Sequence, residues 1–271
     1  MYSQIGFIGC GKMAQAMIEG LISSGKVRPS QIIANAKSVE TLTKVKKKYD
    51  IFVTDDAREV TKFADVLFIA VKPNLYEEVL TNIKDYIREN TVVISIAAGI
   101  TIRFMEETCQ KNVKVIRTMP NTPSLVGEGM TAVCANELVN EEELTIVKAI
   151  FECFSKVEII DESLMDAIPA ISGSSPAYVY MLIEAMADGG VLQGIPRDQA
   201  YRLTAQAILG AAKMVLETGM HPGELKDNVC TPGGATIEAI STLEKNNFRA
   251  AVLAAMENCT TKSVALMNNK S

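Results

Sequence analysis

Histidine is almost absent from this chain, in which His221 is the only one among 271 residues. Zinc sites made from several imidazoles, and Ser-His or Cys-His catalysis, are therefore nearly excluded, because each needs histidine as a ligand or a base. The six cysteines form no CxxC pair. We expect no metal site, and we interpret the cysteines as small buried residues of a protein in the reducing cytoplasm.

The sequence also lacks long uncharged runs and an excess of positive charge. Its longest stretch without a charged residue, 167–183, contains Ser-Gly-Ser-Ser-Pro, whereas a membrane-spanning helix needs about 20 apolar residues. We therefore expect no membrane span, and the N-terminal MYSQIGFIGCGKM, which has no basic region, predicts no signal peptide. Twenty-seven basic and thirty-two acidic residues give a net charge of −5, which argues against a nucleic-acid partner, since such proteins normally present a basic face.

Short apolar runs alternate with helical patterns in the first half. Strands are predicted at residues 4–9, 32–35, 51–53, 66–71, 92–96, 113–119 and 130–134, followed by a helix over 141–154. This alternation is typical of βαβ units and a mostly parallel sheet. After residue 160 no β-rich run remains, and helices are predicted at 176–192, 196–216 and 236–266. We therefore predict an α/β domain over 1–162 and an all-α domain over 163–271.

The predicted helices of the second half are unusually apolar. Segments such as AQAILGAAKMVL are apolar around much of the circumference, and a helix of this kind is buried on more than one side. We expect the excess apolar surface to form a subunit interface, so that the second half is a dimerisation domain. The alternative is a monomer with a helical core.

A glycine-rich motif follows the first predicted strand and opens the first helix. It has the form G-x-G-x-x-A and consists of Gly9, Cys10, Gly11, Lys12, Met13 and Ala14. The first glycine permits a tight turn, the second lets the backbone approach a pyrophosphate, and the alanine lets helix and strand pack closely. The motif predicts an NAD(P)-binding Rossmann-type domain; a glycine turn without a ligand is the alternative.

The ends of three other strands predict the rest of the cofactor site. The second strand ends at Asn35, followed by Lys37 and Ser38, where an NAD-preferring site would carry Asp or Glu. Because these side chains can donate hydrogen bonds to a 2′-phosphate, we predict NADPH, with NADH possible but weaker. Ligands of open α/β sheets lie beyond the carboxyl ends of the strands, so we add the ends of the fourth and fifth strands: Ala70, Val71, Lys72, Pro73, Ala97 and Ala98.

The segment HPGELKDNVCTPGGATIEAI, residues 221–240, predicts a substrate site. We expect Thr231 to cap a helix with Pro232 at its first position, which places Gly233 and Gly234 in the first turn. Glycine costs helix stability there, and bare backbone N–H groups at a helix start suit a small carboxylate. Thr236 follows within reach of a second polar atom of such a guest. A flexible loop between helices is the alternative.

These segments together resemble the pyrroline-5-carboxylate reductases. The resemblance rests on GCGKMAQAM, AVKP, SIAAG, RTMPNTP, SGSSPAYVY, ADGGVLQGIPRDQA, LGAAKM and the segment from His221, in this order, and covers nearly the whole chain. It implies a dimer, with dimers often assembled into a decamer of five dimers, and NAD(P)H-dependent reduction of 1-pyrroline-5-carboxylate to L-proline, the last step of proline biosynthesis. One position departs from many members, which have Asn where this chain has Ala57.

The resemblance also implies roles for single residues. Thr236 would bond the ring nitrogen as the catalytic residue, Asn228 would lie near the cofactor, and the substrate-binding residues would be Thr231, Gly233, Gly234, Ala235 and Glu162. Since an imine nitrogen is more basic than a carbonyl oxygen, the reaction needs no strong acid from the protein. Two alternatives stay open: a β-hydroxyacid dehydrogenase-like oxidoreductase, with Lys213 or Lys226 as its acid, and a non-catalytic NADPH-sensing protein.

Overall fold

The computed structural model describes residues 4–268 and forms two compact units. The first unit contains an eight-stranded sheet in the order β3-β2-β1-β4-β5-β6-β7-β8. Within the described residues, neighbouring strands pair parallel except β6 and β7, which are antiparallel. The strands are β1 (Ile5–Ile8), β2 (Ile32–Asn35), β3 (Phe52–Thr54), β4 (Val66–Ile69), β5 (Val92–Ser95), β6 (Lys114–Met119), β7 (Gly129–Ala135) and β8 (Ser155–Ile159). The predicted mostly parallel sheet is confirmed.

Helices cover both faces of this sheet. They are α1 (Lys12–Ser23), α2 (Val39–Tyr49), α3 (Ala57–Phe63), α4 (Tyr76–Ile83), α5 (Ile102–Cys109) and α6 (Glu141–Phe151). The buried residues form two clusters, one shared with α1, α2 and α6 and the other with α3, α4 and α5. Strands β1, β4 and β5 are buried along their whole length, which explains why their sequences are apolar without alternation.

The eighth strand was not predicted, because its sequence SKVEI alternates charged and apolar residues without an apolar run. Lys156 and Glu158 lie at the edge of the sheet, where β8 pairs with β7 alone. Charged side chains on an edge strand protect it from pairing with other chains. The helix before it ends at Phe151 rather than at 154 as predicted.

The division between the two units comes after Ser174 rather than after residue 162. Residues 163–174 pack on the first unit through polar contacts: Asp166 pairs with the buried Arg117, and Asn121 Nδ2 donates to the Ser172 carbonyl over 3.0 Å. Residues 259–268 are also grouped with the first unit. These contacts join side chains far apart in the sequence, so the local pattern does not contain them.

The second unit, 175–258, is helical. Its helices are α7 (Ser175–Leu192), α8 (Arg197–Thr218), α9 (Pro222–Val229), α10 (Ala235–Lys245) and the first part of α11 (Phe248–Asn268). The prediction of one helix over 236–266 is wrong, because the chain breaks at Asn246 and Asn247, and Asn247 adopts a left-handed φ of 61°. Among the described helices, none is both long and apolar enough to cross a membrane.

Candidate active site

The glycine loop lies where the strand order of the sheet reverses. Strand β1 runs between β2 and β4, and the Gly9 N–H donates to the Asn35 carbonyl over 3.1 Å. Gly9 has φ +92°, and a Cβ added to it would lie 2.6 Å from the Ala70 carbonyl oxygen. Only glycine fits this position. In open α/β sheets the point of reversal is where a crevice for nucleotides forms.

Gly11 leaves the start of α1 open. It is the N-cap residue of this helix, and a Cβ added there would meet no atom within 4 Å. The unpaired N–H groups and the positive end of the helix dipole therefore face open space, which suits a phosphate. Cys10 contributes no charge, because burial raises the pKa of its thiol to about 11. Its carbonyl accepts from Gln15 Nε2 over 2.9 Å, which holds the loop against α1.

A cleft of about 420 Å³ extends from this loop along the ends of β4, β5 and β6. Ten of the residues predicted to bind the cofactor line it: Gly11, Lys12, Met13, Ala14, Ala70, Val71, Lys72, Pro73, Ala97 and Ala98. Gly9 and Cys10 lie behind this surface and shape it through the backbone. The structure thus brings together three segments that the sequence separates.

One wall of the cleft was not predicted as part of the site. It follows the end of β6 and consists of Met119, Pro120, Asn121 and Thr122, with Ile96 and Gly173 beside it. The predicted parallel sheet could have indicated this wall, because β6 is parallel to β5 and its carboxyl end lies at the same edge of the sheet. Gly173 was harder to foresee, since it lies in a π-helical turn, Pro169–Gly173, and a Cβ on it would lie 2.8 Å from the Met119 methyl group.

The residues at the end of β2 have partners within the protein. Asn35 Nδ2 donates to the Thr54 carbonyl over 3.3 Å, and Ser38 caps α2 by accepting from the Thr41 N–H. Lys37 is exposed, with its Nζ 3.6 Å from Glu78 Oε1. Lys37 is therefore the side chain of this group that can turn toward an incoming phosphate, because an exposed ion pair of this length is weak.

The glycine pair of the second unit forms a turn ahead of α10 instead of its first turn. The Gly234 N–H donates to the Thr231 carbonyl over 3.0 Å, Gly233 has φ +68°, and Gly234 is the N-cap residue of a helix that starts at Ala235. The prediction that Thr231 caps this helix, with Pro232 at its first position, is wrong. A Cβ on Gly234 would lie 2.3 Å from Thr231 Oγ1 and 3.1 Å from the Thr231 carbonyl oxygen, so a larger residue would have to displace the Thr231 side chain.

This turn leaves the helix start bare. Glycine has no side chain to cap the helix, and no side-chain cap bond is made there. The N–H groups of Ala235, Thr236 and Ile237 begin α10, where a helix has no partners of its own for them. Thr236 is half-buried at the second helical position. Donors and a hydroxyl in one turn suit a small anion that carries a second polar atom.

His221, the only histidine of the chain, and Asn228, a predicted cofactor contact, lie at the two ends of α9. His221 is the N-cap residue of this helix, and its Nδ1 accepts from the Gly223 N–H over 3.0 Å. A histidine that caps the start of a helix in this way has a structural role. Asn228 is exposed near the other end of α9, in the second unit, so its contact with the cofactor stays a prediction.

Glu162 lies in a polar cluster of the first unit. Its Oε1 accepts from the Ile102 N–H at the start of α5 over 2.8 Å and lies 3.3 Å from Arg117 Nη1, while Arg117 Nη2 lies 2.6 Å from Asp166 Oδ1. Because the Arg117 side chain is only 4% exposed, removing Glu162 would leave a buried charge with one partner fewer. These protein contacts account for the position of Glu162, and its contact with the substrate stays a prediction.

The arrangement suits binding of two organic anions. Within the described residues, no group of three His, Cys, Asp or Glu side chains is placed to hold a metal ion. The first unit offers a phosphate-binding helix start and a cleft with small alanine walls, and the second offers a bare helix start beside a hydroxyl. Such sites position reactants and supply hydrogen bonds without a strong acid or base.

Two family models match the chain. The model described as pyrroline-5-carboxylate reductase dimerisation covers residues 162–266. The model described as NADP oxidoreductase, coenzyme F420-dependent, covers residues 4–99. The first match contains the turn before α10, and the second contains the glycine loop and strands β1 to β5.

Relatives of known sequence and structure are similar over the full length. The pyrroline-5-carboxylate reductase of Escherichia coli (strain K12) is 49% identical over 98% of this chain and 99% of the relative. The structure of a pyrroline-5-carboxylate reductase from Coxiella burnetii gives a TM-score of 0.91 at 34% identity and covers 98% of this chain and 99% of that one. That of Plasmodium falciparum pyrroline carboxylate reductase with NADP bound gives 0.88 at 35% identity, with 98% of both chains covered.

Proposed function

Because the chain belongs to the pyrroline-5-carboxylate reductase family, we propose that it reduces the ring C=N bond of 1-pyrroline-5-carboxylate with NADPH and so forms L-proline, the last step of proline biosynthesis. The observation that carries the proposal beyond the family name is the turn before α10, which leaves backbone N–H groups bare beside the Thr236 hydroxyl. A cyclic imino acid presents a carboxylate and a ring nitrogen on the same carbon atom, and this pair of polar groups suits the turn.

The first unit would hold the cofactor. Gly9 fits no side chain, and Gly11 leaves the start of α1 open to a pyrophosphate. Lys37 would turn from Glu78 toward a 2′-phosphate, because a doubly charged phosphate attracts an ammonium group more strongly than one exposed carboxylate. Ala70, Ala97 and Ala98 would leave room for the nicotinamide ribose and ring. Bound there, NADPH supplies the hydride that reduces the imine carbon.

The second unit would hold the substrate. The N–H groups of Ala235 and its neighbours would donate to the carboxylate at the positive end of the α10 dipole. The Thr236 hydroxyl would accept from the N–H of the iminium form and donate to the lone pair of the amine that replaces it. The proton on that nitrogen would arrive with the iminium form or from water. The protein's part is to orient the C=N carbon and to exclude bulk water.

Self-association follows from the dimerisation family match and from the apolar side chains exposed on the second unit. Leu216 is 82% exposed on α8 and Met181 is 73% exposed on α7, and patches of this kind mark protein interfaces. We extend this to a decamer of five dimers, which sedimentation would detect as a species ten times the 29.4 kDa of one chain. We place the enzyme in the cytoplasm, where its six free cysteines stay reduced.

A spectrophotometric assay tests the proposed function. The purified protein should oxidise NADPH only when 1-pyrroline-5-carboxylate is added, and kcat/KM should be higher with NADPH than with NADH. Lys37→Asp should weaken NADPH far more than NADH, because it places a negative charge near the 2′-phosphate. NADPH oxidation that depends on a β-ketoacid and not on the imine would refute the proposal, as would NADPH binding without any turnover.

A further inference from the structure

A chain of buried hydroxyl groups lies directly behind the cleft. The pairing of β4 with β5 ends at Ile69 and Ser95. Just beyond that point Tyr76, the first residue of α4, places its hydroxyl between the two strands. The hydroxyl donates to the Ile69 carbonyl over 2.5 Å and accepts from Ser95 Oγ over 3.1 Å.

The chain continues to the residues that line the cleft. Ser95 Oγ accepts from the Ala97 N–H over 3.4 Å, and the Ser95 carbonyl accepts from Thr118 Oγ1 over 2.8 Å. Ala97 is part of the cleft wall, and Thr118 precedes Met119, another wall residue. The hydroxyl groups therefore connect the ends of three neighbouring strands at the points where they leave the sheet.

These polar side chains are buried, so contact with solvent does not explain why they are polar. Tyr76 and Ser95 are 0% exposed and Thr118 is 1% exposed. Polar groups buried to this extent are costly unless every bond is made, and an apolar side chain of the same shape would fill the space more cheaply. Burial also raises the pKa of Tyr76 above its ordinary range, so the hydroxyl stays a donor.

We infer that Tyr76 and Ser95 are positioning residues for the reduction, which hold the Ala70 and Ala97 walls at the spacing that the reacting ring of the nicotinamide requires. The inference rests on the proposed function. The adenosine ribose of a dinucleotide lies near the end of β2 in this fold, so the ends of β4 and β5 face the nicotinamide half. Loosening them should misplace the reacting carbon, and a shift of about 1 Å can cost a hundredfold in rate.

The matched control is another buried hydroxyl pair in the same sheet. Thr131 Oγ1 and Ser155 Oγ lie 2.9 Å apart between β7 and β8, and both side chains are buried. Neither residue lines the cleft. Thr131→Val should therefore lower the melting temperature by losing a buried hydrogen bond without affecting the reaction.

The experiment compares Tyr76→Phe, Ser95→Ala, their double variant and Thr131→Val in the full-length enzyme. We expect either single change to lower kcat about tenfold or more, and the dissociation constant of 2′,5′-ADP, which probes only the adenosine half, to change less than twofold. Because the two residues act as one unit, the double variant should be within about threefold of the worse single variant. Thr131→Val should keep kcat within twofold.

Two results would overturn the inference: a Tyr76→Phe enzyme whose kcat stays within twofold of the wild type, or single losses that multiply in the double variant. Tyr76→Phe preserves the ring and its packing, so it tests the hydroxyl without removing the core. Wild-type enzyme that fails to reduce 1-pyrroline-5-carboxylate would instead refute the proposed function and, with it, this inference.

Discussion

At the scale of single residues, the candidate site depends on glycines at which the space for one added Cβ atom decides whether another residue fits. Gly9 and Gly25 both have positive φ, of +92° and +70°, but only Gly9 lacks space for a Cβ. Gly9 also differs from Gly11, where an added Cβ would meet no atom within 4 Å. Close backbone approach and open backbone N–H groups are thus adjacent in the glycine loop.

The contrast between Gly9 and Gly25 gives the first prediction. Gly25→Ala should cost about 1 kcal/mol of unfolding free energy, the ordinary penalty of the left-handed region, and should leave the dissociation constant for NADPH unchanged. Gly9→Ala meets the Ala70 carbonyl at 2.6 Å in addition, so it should cost clearly more and weaken NADPH at least tenfold. Urea titration and fluorescence titration measure the two quantities. Equal effects of the two variants would contradict the account of the loop.

The hydroxyl of Thr236 gives the second prediction. If it bonds the ring nitrogen, Thr236→Ala should lower kcat/KM by roughly tenfold to a few hundredfold, which corresponds to about 1.5–3 kcal/mol for a hydrogen bond to a charged group. Thr236→Ser keeps the hydroxyl and should lose much less. NADPH affinity should barely change in either variant. Steady-state kinetics and melting curves check this, and an Ala variant with wild-type kcat/KM would remove Thr236 from the mechanism.

At the scale of secondary-structure elements, the sequence predicts the features whose determining residues are adjacent in the chain and misses those set by distant contacts. The strand, glycine loop and helix of residues 5–23 were readable because the turn, the helix start and the packing alanine are all adjacent in sequence. Strand β8 was not, since its position is set by pairing with β7 and not by an apolar run. The wall after β6 belongs to the site only because the sheet brings its end beside that of β5.

The turn before α10 shows a different limit. Thr-Pro-Gly-Gly fits the sequence rules for a cap followed by a first helical turn, yet the structure starts the helix at Ala235. The Thr231 carbonyl accepts from the Gly234 N–H, and Gly233 takes a left-handed conformation that the helix does not allow. Propensity identified a helix start in this segment but not the register of the helix, and the role of its glycines in substrate binding stays a prediction.

The break between α10 and α11 gives a prediction at this scale. Asn247 has φ 61°, a conformation that asparagine tolerates, glycine adopts freely and β-branched residues avoid. Asn247→Gly should therefore leave the unfolding free energy unchanged or raise it by up to about 1 kcal/mol, and Asn247→Val should lower it by about 1 kcal/mol or more. Urea unfolding of both variants measures this. If valine were tolerated as well as glycine, the break would not depend on this residue.

At the scale of the whole molecule, the two units differ in what they leave exposed. Nearly all of the buried apolar residues belong to the first unit, where they form two clusters on either side of the sheet. The second exposes large apolar side chains along its helices, among them Met181, Leu192, Leu203, Leu216 and Leu253. The excess was visible in the sequence as helices that are apolar around much of their circumference, and the match to a dimerisation family supports self-association through this surface.

An introduced charge tests this interface. Met181→Asp places a carboxylate on an apolar surface that we expect to be buried in the dimer, and an unpaired buried charge is costly. The variant should sediment as a monomer at concentrations where the wild type is at least dimeric. Val39→Asp is the control, because Val39 is 75% exposed on the first unit and should leave the sedimentation coefficient unchanged. Identical sedimentation of Met181→Asp and wild type would show that α7 does not form the interface.

The most direct test of the central claim follows the hydride itself. The enzyme is incubated with 1-pyrroline-5-carboxylate and NADPH carrying deuterium on one face of nicotinamide C4, and the proline is analysed by mass spectrometry and for chirality. The account predicts L-proline with one deuterium at C5 from one of the two labelled cofactors and unlabelled L-proline from the other. Absence of proline, or proline without deuterium from both labelled cofactors, would contradict direct hydride transfer from a cofactor held in the cleft beside the glycine loop.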